Sequence, residues 1–118
     1  MLPNRMQLNR TVEEQLKRLK AFTGVTPNVS ARIAFFHSIE SGYNYNSQIN
    51  YKLDGNLTLD KTTWLGKTQQ ITELFLIKRY PTLNQKELQV AWASHVDSGI
   101  AALRSHKNLP SLVGKLLS

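Results

Sequence analysis

The sequence contains no cysteine among its 118 residues. It can therefore form no disulfide, no thiolate metal site and no cysteine nucleophile. No apolar run approaches the roughly 18–20 residues that a membrane span needs, and polar residues and Arg5 interrupt the N-terminus before a signal peptide could form. We therefore expect a cytoplasmic protein with no membrane segment.

Acidic residues are also scarce, and the chain carries a formal charge of +7. Residues 1–41 contain six Lys and Arg against three acids, residues 42–66 contain two of each, and residues 67–118 contain seven against three. With 41% hydrophobic residues, the chain is predicted to form one folded domain over residues 1–118 rather than a basic tail. A polyanion such as a nucleic acid is the expected partner.

The N-terminal third predicts a strand followed by two helices. Residues 6–10 alternate apolar and polar side chains, which is the period of a short strand. Thr11 and Glu14 have the spacing of a capping box, and Gly24 is a helix stop. A second helix is predicted over residues 26–42, where proline follows a threonine N-cap. The residues expected to be buried are Val12, Leu16, Leu19 and Phe22 on the first helix, and Val29, Ile33, Phe36 and Ile39 on the second, widened by Ala31, Ala34 and Phe35.

The rest of the chain predicts a small hairpin and further helices. Alternation at residues 49–53 and 57–59 surrounds an Asp-Gly dipeptide, which is typical of a hairpin turn, although an ordered loop explains the same residues. Helices are predicted over residues 67–79, from Asn84 to about Leu103, and over residues 109–117. The fold class is therefore mainly α: a compact helical domain with a short N-terminal strand and a small central hairpin. The residues expected to be buried here are Ile71, Leu74 and Phe75, then Leu88, Ala91, Trp92, His95, Val96, Gly99, Ile100 and Leu103, together with Trp64.

The order strand, helix, turn and helix resembles a ribbon-helix-helix module. In such a module two chains pair their N-terminal strands antiparallel, and the ribbon enters the major groove of DNA. Arg5, Gln7 and Asn9 would then face outward, where Arg and amide side chains form bidentate contacts with guanine and adenine. An ordered arm of residues 1–10 packed on the helices explains the same alternation.

Other basic side chains lie on the predicted solvent-exposed faces, where they would contact phosphates rather than bases. A solvated surface is the simpler interpretation of such residues, but eight acids do not balance fifteen bases. Three tyrosines at positions 43, 45 and 51 could stack exposed bases, although half-buried hairpin positions explain them better. The complete predicted DNA-binding set is Arg5, Gln7, Asn9, Arg10, Lys17, Arg18, Lys20, Lys67, Lys78 and Arg79.

No arrangement of residues predicts catalysis. Gly66-Lys67-Thr68 looks like the end of a phosphate-binding loop, but Lys61 stands where that loop needs its first glycine. His37, His95 and His106 have no partners at metal-ligand spacing. We therefore expect a protein that is not an enzyme and that holds no metal or cofactor.

Three stretches of the sequence resemble the DndE family. They are Leu2–Met6, the turn Thr23–Asn28 leading into Ala31-Arg32, and Leu53–Gly55 before Trp64–Gly66. The resemblance extends over essentially the whole chain. That family is the small subunit of the bacterial DNA phosphorothioation system, which replaces a non-bridging phosphate oxygen of DNA by sulfur. Separate subunits supply the desulfurase, the sulfur transfer and the ATPase.

The resemblance implies a non-catalytic component that binds duplex DNA, intact or nicked, beside the other subunits of the phosphorothioation complex. The alternative is a ribbon-helix-helix repressor that reads a specific operator, and a third hypothesis is a protein–protein adaptor. We also predict a homo-oligomer, either a dimer or a tetramer, from the unpaired strand and the wide apolar helix faces.

Overall fold

The structure, a computed structural model, describes residues 1–104, and the helix predicted over residues 109–117 lies outside them. The fold is mainly α, as predicted from the sequence. No helix within the described residues is long and apolar enough to cross a membrane. The elements in chain order are β1 (Arg5–Gln7), α1 (Arg10–Thr23), α2 (Pro27–Glu40), β2 (Thr58–Asp60), α3 (Lys61–Leu65), a 3₁₀ turn (Gly66–Thr68), α4 (Gln69–Arg79) and α5 (Gln85–Arg104).

Helix α5 forms the centre of the core, and all the residues predicted for its apolar face are buried. Its N-terminus has the predicted capping box: the Asn84 backbone N–H donates to Glu87 Oε1 at 3.0 Å, and the Glu87 N–H donates to Asn84 Oδ1 at 2.9 Å. Trp64 packs on Trp92 with ring centroids 5.6 Å apart, and both side chains are fully buried. The two tryptophans are core residues, as the sequence indicates.

Helices α2 and α5 cross at very short distance. A Cβ on Gly99 would overlap the carbonyl oxygen of Ala34, so only glycine permits this contact between backbones. The close approach turns the side of α2 that carries Ala31, Ala34 and Phe35 into the core. The stripe expected to be buried, which consists of Val29, Ile33, Phe36 and Ile39, is therefore only half-buried.

Helix α1 begins earlier than predicted. Its N-cap is Asn9, whose side chain accepts from the Thr11 N–H at 2.9 Å, so the predicted cap at Thr11 is wrong. The helix ends as predicted at Gly24, where φ is 79° and the N–H donates to the Lys20 carbonyl. Phe22 is 66% exposed rather than buried. The position of the last turn that faces the core is one residue later, at half-buried Thr23.

Strand β1 pairs within the chain, which corrects the prediction of an intermolecular ribbon. It runs antiparallel to β2, with Met6 opposite Leu59. On the other side, the Gln89 side-chain amide accepts from the Gln7 N–H at 3.3 Å and donates to the Gln7 carbonyl at 2.9 Å. Trp64 Nε1 also donates to the Met6 carbonyl at 3.1 Å. These contacts already use the backbone groups that a second ribbon strand would need.

The predicted central hairpin does not form, and the alternative of an ordered loop is correct. Residues 43–57 contain no strand, and several of their hydrogen bonds join them to residues 7–10. The Gly55 N–H donates to the Leu8 carbonyl at 2.8 Å, and Asp54 Oδ1 accepts from the Arg10 N–H at 2.9 Å. The loop thereby fastens β1 and the N-terminus of α1.

Helix α4 presents to the core a different face from the predicted one. Thr72 and Leu76 are buried, whereas Ile71, Leu74 and Phe75 are 47%, 53% and 38% exposed. The helix is apolar on both sides, so its periodicity alone does not say which side meets α5. Its outer side is an exposed apolar surface.

Candidate nucleic-acid interface

The outer side of α1 carries four exposed cations: Arg10, Lys17, Arg18 and Lys20, here called the α1 basic face. At 1.5 Å per residue they extend over about 15 Å of helix. Glu14 is the one exposed carboxylate on this helix. The local sequence explains this placement, because the apolar stripe of α1 leaves these positions on the solvent side.

The other carboxylate of α1 points inward. Glu13 is 4% exposed, and its Oε2 accepts from the Leu57 N–H at 3.0 Å. Its Oε1 lies 3.2 Å from the Nζ of Lys17, whose side chain remains 58% exposed. The pair therefore joins a buried carboxylate to a largely exposed ammonium group. The ammonium group of Lys17 keeps donors directed to solvent.

Most carboxylates are engaged in structural hydrogen bonds. Asp60 is the N-cap of α3, and hydrogen bonds from the hydroxyl and N–H of Thr63 lower the pKa of its carboxyl. Among residues 1–104, ion pairs join only Lys17 to Glu13 and Lys61 to Glu73. Six of the eight acids accept hydrogen bonds: Glu13, Asp54, Asp60, Glu73, Glu87 and Asp97. Within the described residues, Lys17 is the one member of the α1 basic face that forms an ion pair, although Asp54 lies near Arg10 and exposed Glu14 lies on the same helix.

The row of outward residues predicted for β1 is not formed. Arg5 is exposed, with Nη2 donating to the Thr58 carbonyl at 2.8 Å. Gln7 is half-buried and donates its amide to the Gly55 carbonyl, and the Asn9 side chain caps α1. The amide groups of Gln7 and Asn9 hold the chain's own backbone, which corrects the expectation that both side chains face freely outward.

The second predicted basic group lies on α4 and the turn before it. Lys67 and Lys78 are exposed, whereas Arg79 is half-buried and donates from Nε to Asn44 Oδ1 at 3.2 Å. Arg79 thus lies beside the loop that follows α2. This group and the α1 basic face are on different elements.

The fold brings one further cation to α1. Arg104, at the end of α5, lines the same small cleft as Arg18, together with Leu19 and Phe22. No local pattern could reveal this pair, because the two arginines are far apart in the sequence. Arg104 therefore extends the positive surface beside the α1 basic face.

A hydrogen-bond chain centred on His95 crosses the core. Ser38 donates to the Phe35 carbonyl at 2.6 Å, so its oxygen accepts from His95 Nδ1–H at 2.8 Å. The bare Nε2 then accepts from the Tyr80 hydroxyl at 2.7 Å, and Tyr80 accepts from the Tyr45 N–H at 2.8 Å. All these bonds run in one direction, which assigns the proton to Nδ1.

His95 is fully buried. Burial, and secondarily the charge of Arg79, lowers its pKa from 6.5 to about 4. The imidazole is therefore neutral at pH 7 and structural, as the sequence indicates. Within residues 1–104, no three potential metal ligands come close enough to hold an ion. The expectation of no enzyme, metal or cofactor stays a prediction.

Comparison with known proteins supplies the family. The sequence profile described as "DNA sulphur modification protein DndE" matches residues 5–111. The crystal structure of DndE from Escherichia coli B7A, involved in DNA phosphorothioation modification, superposes with a TM-score of 0.85 at 60% identity, covering 89% of this chain and 100% of that chain.

The crystal structure of a glycine-to-lysine mutant of DndE, involved in DNA phosphorothioation, gives a TM-score of 0.82 at 57% identity. It covers 86% of this chain and 98% of that chain. No curated protein matches the chain in sequence. The profile match over most of the chain and the identity to solved DndE structures show that the chain belongs to the DndE family of DNA sulphur modification proteins.

Proposed function

We propose that the protein is a non-catalytic, DNA-binding component of the DNA phosphorothioation machinery. It holds double-stranded DNA, intact or nicked, while other subunits of the complex carry out the sulfur chemistry in the cytoplasm. The observation that carries this proposal is the α1 basic face, where four cations are exposed along one helix and only Lys17 forms an ion pair within the described residues. The membership of the DndE family supports the same role.

The proposed contacts are with phosphates. The cations of the α1 basic face extend over about 15 Å, and duplex DNA carries one charge per roughly 1.7 Å of its axis. A helix lying along the duplex would therefore meet several phosphates at once. Arg5, Lys67, Lys78 and Arg104 are exposed and would add to the attraction. Such contacts position the protein on DNA without reading its sequence.

The geometry gives no support to the repressor alternative. That hypothesis requires a two-chain ribbon with Gln7 and Asn9 facing the bases, whereas both amides are engaged within the chain. We therefore leave these two residues out of the proposed DNA contacts. Arg79 lies beside the loop after α2, and this position is the main basis for its proposed contribution to DNA binding.

A salt titration with duplex DNA of random sequence tests the proposal. Affinity is expected to fall with a log–log slope of about −0.9 for each phosphate neutralised. Lys20→Gln should weaken binding to all sequences alike and reduce the slope by about one unit. Lys86→Gln, which removes the same charge from an exposed helical position outside the proposed set, is the matched control.

Charge reversal of Lys17 and Lys20 together should weaken binding far more than Gln7→Ala. Binding without salt dependence, or equal losses for Lys20→Gln and Lys86→Gln, would contradict the phosphate-contact proposal. A changed sequence preference in Gln7→Ala or Asn9→Ala would favour the repressor instead.

We also propose that the protein is a homo-oligomer, a dimer or a tetramer. The paired β1 removes one reason for this expectation, but the outer side of α4 supplies another. Ile71, Leu74 and Phe75 form an exposed apolar surface beside half-buried Phe36, whose ring centroid lies 6.2 Å from that of Phe75. Light scattering at micromolar concentration should give a multiple of the 13.4 kDa monomer mass.

A further inference from the structure

A pocket of about 380 Å³ opens between the loop after α2 and one face of α5. The side chains that define it, here called the tyrosine pocket, are Tyr43, Tyr45, Ile49, Tyr51, Asp97 and Ala101. Its volume lies in the range of small-molecule sites. It is distinct from the α1 basic face, because none of its lining residues belongs to α1.

The tyrosine rings are held in place before any ligand arrives. The Tyr43 hydroxyl is hydrogen-bonded to Ser94 Oγ, and the Tyr51 hydroxyl donates to Asp97 Oδ2 at 3.0 Å. The Tyr45 backbone N–H donates to the Tyr80 hydroxyl, and the ring of Tyr80 packs edge-on against the ring of Tyr45. Ile49, which is 62% exposed, adds an apolar wall. A preorganised aromatic wall binds planar ligands with a small loss of conformational entropy.

Asp97 is the charged group of the pocket. Burial and then the charge of Asp97 raise the pKa of Tyr51, so the Tyr51 hydroxyl stays protonated and acts as the donor. No hydrogen bond from residues 1–104 reaches Asp97 Oδ1, and the side chain is half-exposed. The carboxylate can therefore accept further hydrogen bonds from a ligand that presents N–H groups.

Two cations neighbour residues of the pocket, one through a hydrogen bond and one in sequence. Arg79 is hydrogen-bonded to Asn44, which lies between two of the pocket tyrosines in sequence, and exposed Lys52 directly follows Tyr51. An aromatic site with a carboxylate also suits a cationic side chain, but these neighbouring charges and the net charge of +7 oppose one. They favour a ligand that is planar, carries N–H donors and bears a phosphate.

We infer that the tyrosine pocket receives one unstacked nucleobase of the bound DNA. The base lies against the tyrosine rings, its N–H edge donates to Asp97, and the adjoining phosphate lies near Arg79 or Lys52. Guanine is the expected preference, because its adjacent N1–H and N2–H groups match a carboxylate. The inference rests on the proposed DNA-binding function and adds a base contact to the phosphate contacts.

The test compares two duplexes with the same number of phosphates. One carries a single extrahelical guanine, and the other carries an abasic nucleotide at that position, so the basic surface meets the same charge in both. The guanine duplex should bind at least about fivefold more tightly, which corresponds to the lower end of base–aromatic stacking. An already unpaired base is used because it costs least to extrude.

Ala101→Trp should abolish the difference in affinity between the two duplexes. Ala101 is exposed on α5, and a large side chain there would fill the pocket without removing a hydrogen bond. Gln70→Trp, at an exposed position of α4 outside the pocket, should leave the difference unchanged. Equal affinity of the wild-type protein for both duplexes would overturn the base pocket but not the phosphate contacts. Failure to bind either duplex would overturn the proposed function.

A second measurement does not depend on duplex binding. Guanosine monophosphate should shift the NMR amide signals of Tyr45, Ile49 and Ala101, and N-acetylarginine amide should not. Asp97→Asn, which retains an acceptor for the Tyr51 hydroxyl, should reduce the preference for guanosine over thymidine monophosphate. Shifts with the arginine derivative alone would overturn the inference in favour of a cationic side chain from a partner protein.

Discussion

Acidification should destabilise this protein through His95. In the folded chain its pKa is about 4, whereas the ordinary value is 6.5. Between these values the unfolded chain binds a proton that the folded chain does not, so stability falls as the pH decreases through this window. The stabilisation by the neutral imidazole is complete above pH 6.5 and is lost by about pH 4. The difference in pKa, at 1.36 kcal/mol per unit, amounts to about 3 kcal/mol.

The physical cause is the arrangement of the hydrogen bonds around the ring. A second proton on Nε2 would face the Tyr80 hydroxyl, which now donates to that nitrogen, and the charge would be buried near Arg79. Asp54 and Asp60 have pKa values below their usual range, so they stay ionised over most of this window. Between pH 6.5 and 4.5, the change of the free energy of unfolding with pH should therefore come mainly from His95.

The assay is urea unfolding followed by tryptophan fluorescence at several pH values. His95→Gln should remove most of the slope in this window, at the cost of lower stability at pH 7. If that variant does not fold, Tyr80→Phe provides the second test. It leaves Nε2 without a donor, costs about 1–3 kcal/mol at pH 7, and should make protonation of the ring less unfavourable. A slope of the same size in wild type and His95→Gln would refute the reasoning.

Three further predictions concern the core, β1 and α4. Gly99→Ala should destabilise the fold by about 1–3 kcal/mol or more through overlap with the α2 backbone, whereas Ser98→Ala should change urea stability by less than about 1 kcal/mol. Gln89→Leu should cost about 1–3 kcal/mol by leaving the buried backbone groups of β1 unpaired, with Lys86→Leu as the exposed control, and equal unfolding midpoints would contradict this. Leu74→Glu should reduce the mass measured by light scattering toward 13.4 kDa without altering the circular dichroism spectrum, and an unchanged mass would exclude α4 from the interface.

Several helix ends were predictable because their chemistry is local, although α1 is capped by Asn9 rather than by the predicted Thr11. The capping box at Asn84 and Glu87, the proline at the start of α2 and the left-handed glycine after α1 all act within one turn of chain. The broad apolar face of α5 was predictable as well, since this helix is surrounded and nearly every apolar position is buried.

The sequence could not predict in the same way which side of α2 and which side of α4 face the core. Both helices carry apolar residues on more than one side, so the pattern admits more than one orientation. The contact of Gly99 with the α2 backbone turns the small residues of α2 inward, and α4 packs through Thr72 and Leu76. These choices depend on the shape of α5 rather than on periodicity within each helix.

The sequence by itself determined the net charge, the basic outer side of α1 and the helical character of the domain, because these depend on composition and on spacing within a few residues. Only the tertiary structure decided that β1 pairs with β2, that Gln7 and Asn9 serve the fold, and that three tyrosines meet Asp97 in one pocket. The physical reason is that these contacts join residues distant along the chain, and they exist only after the core around α5 has brought the elements together.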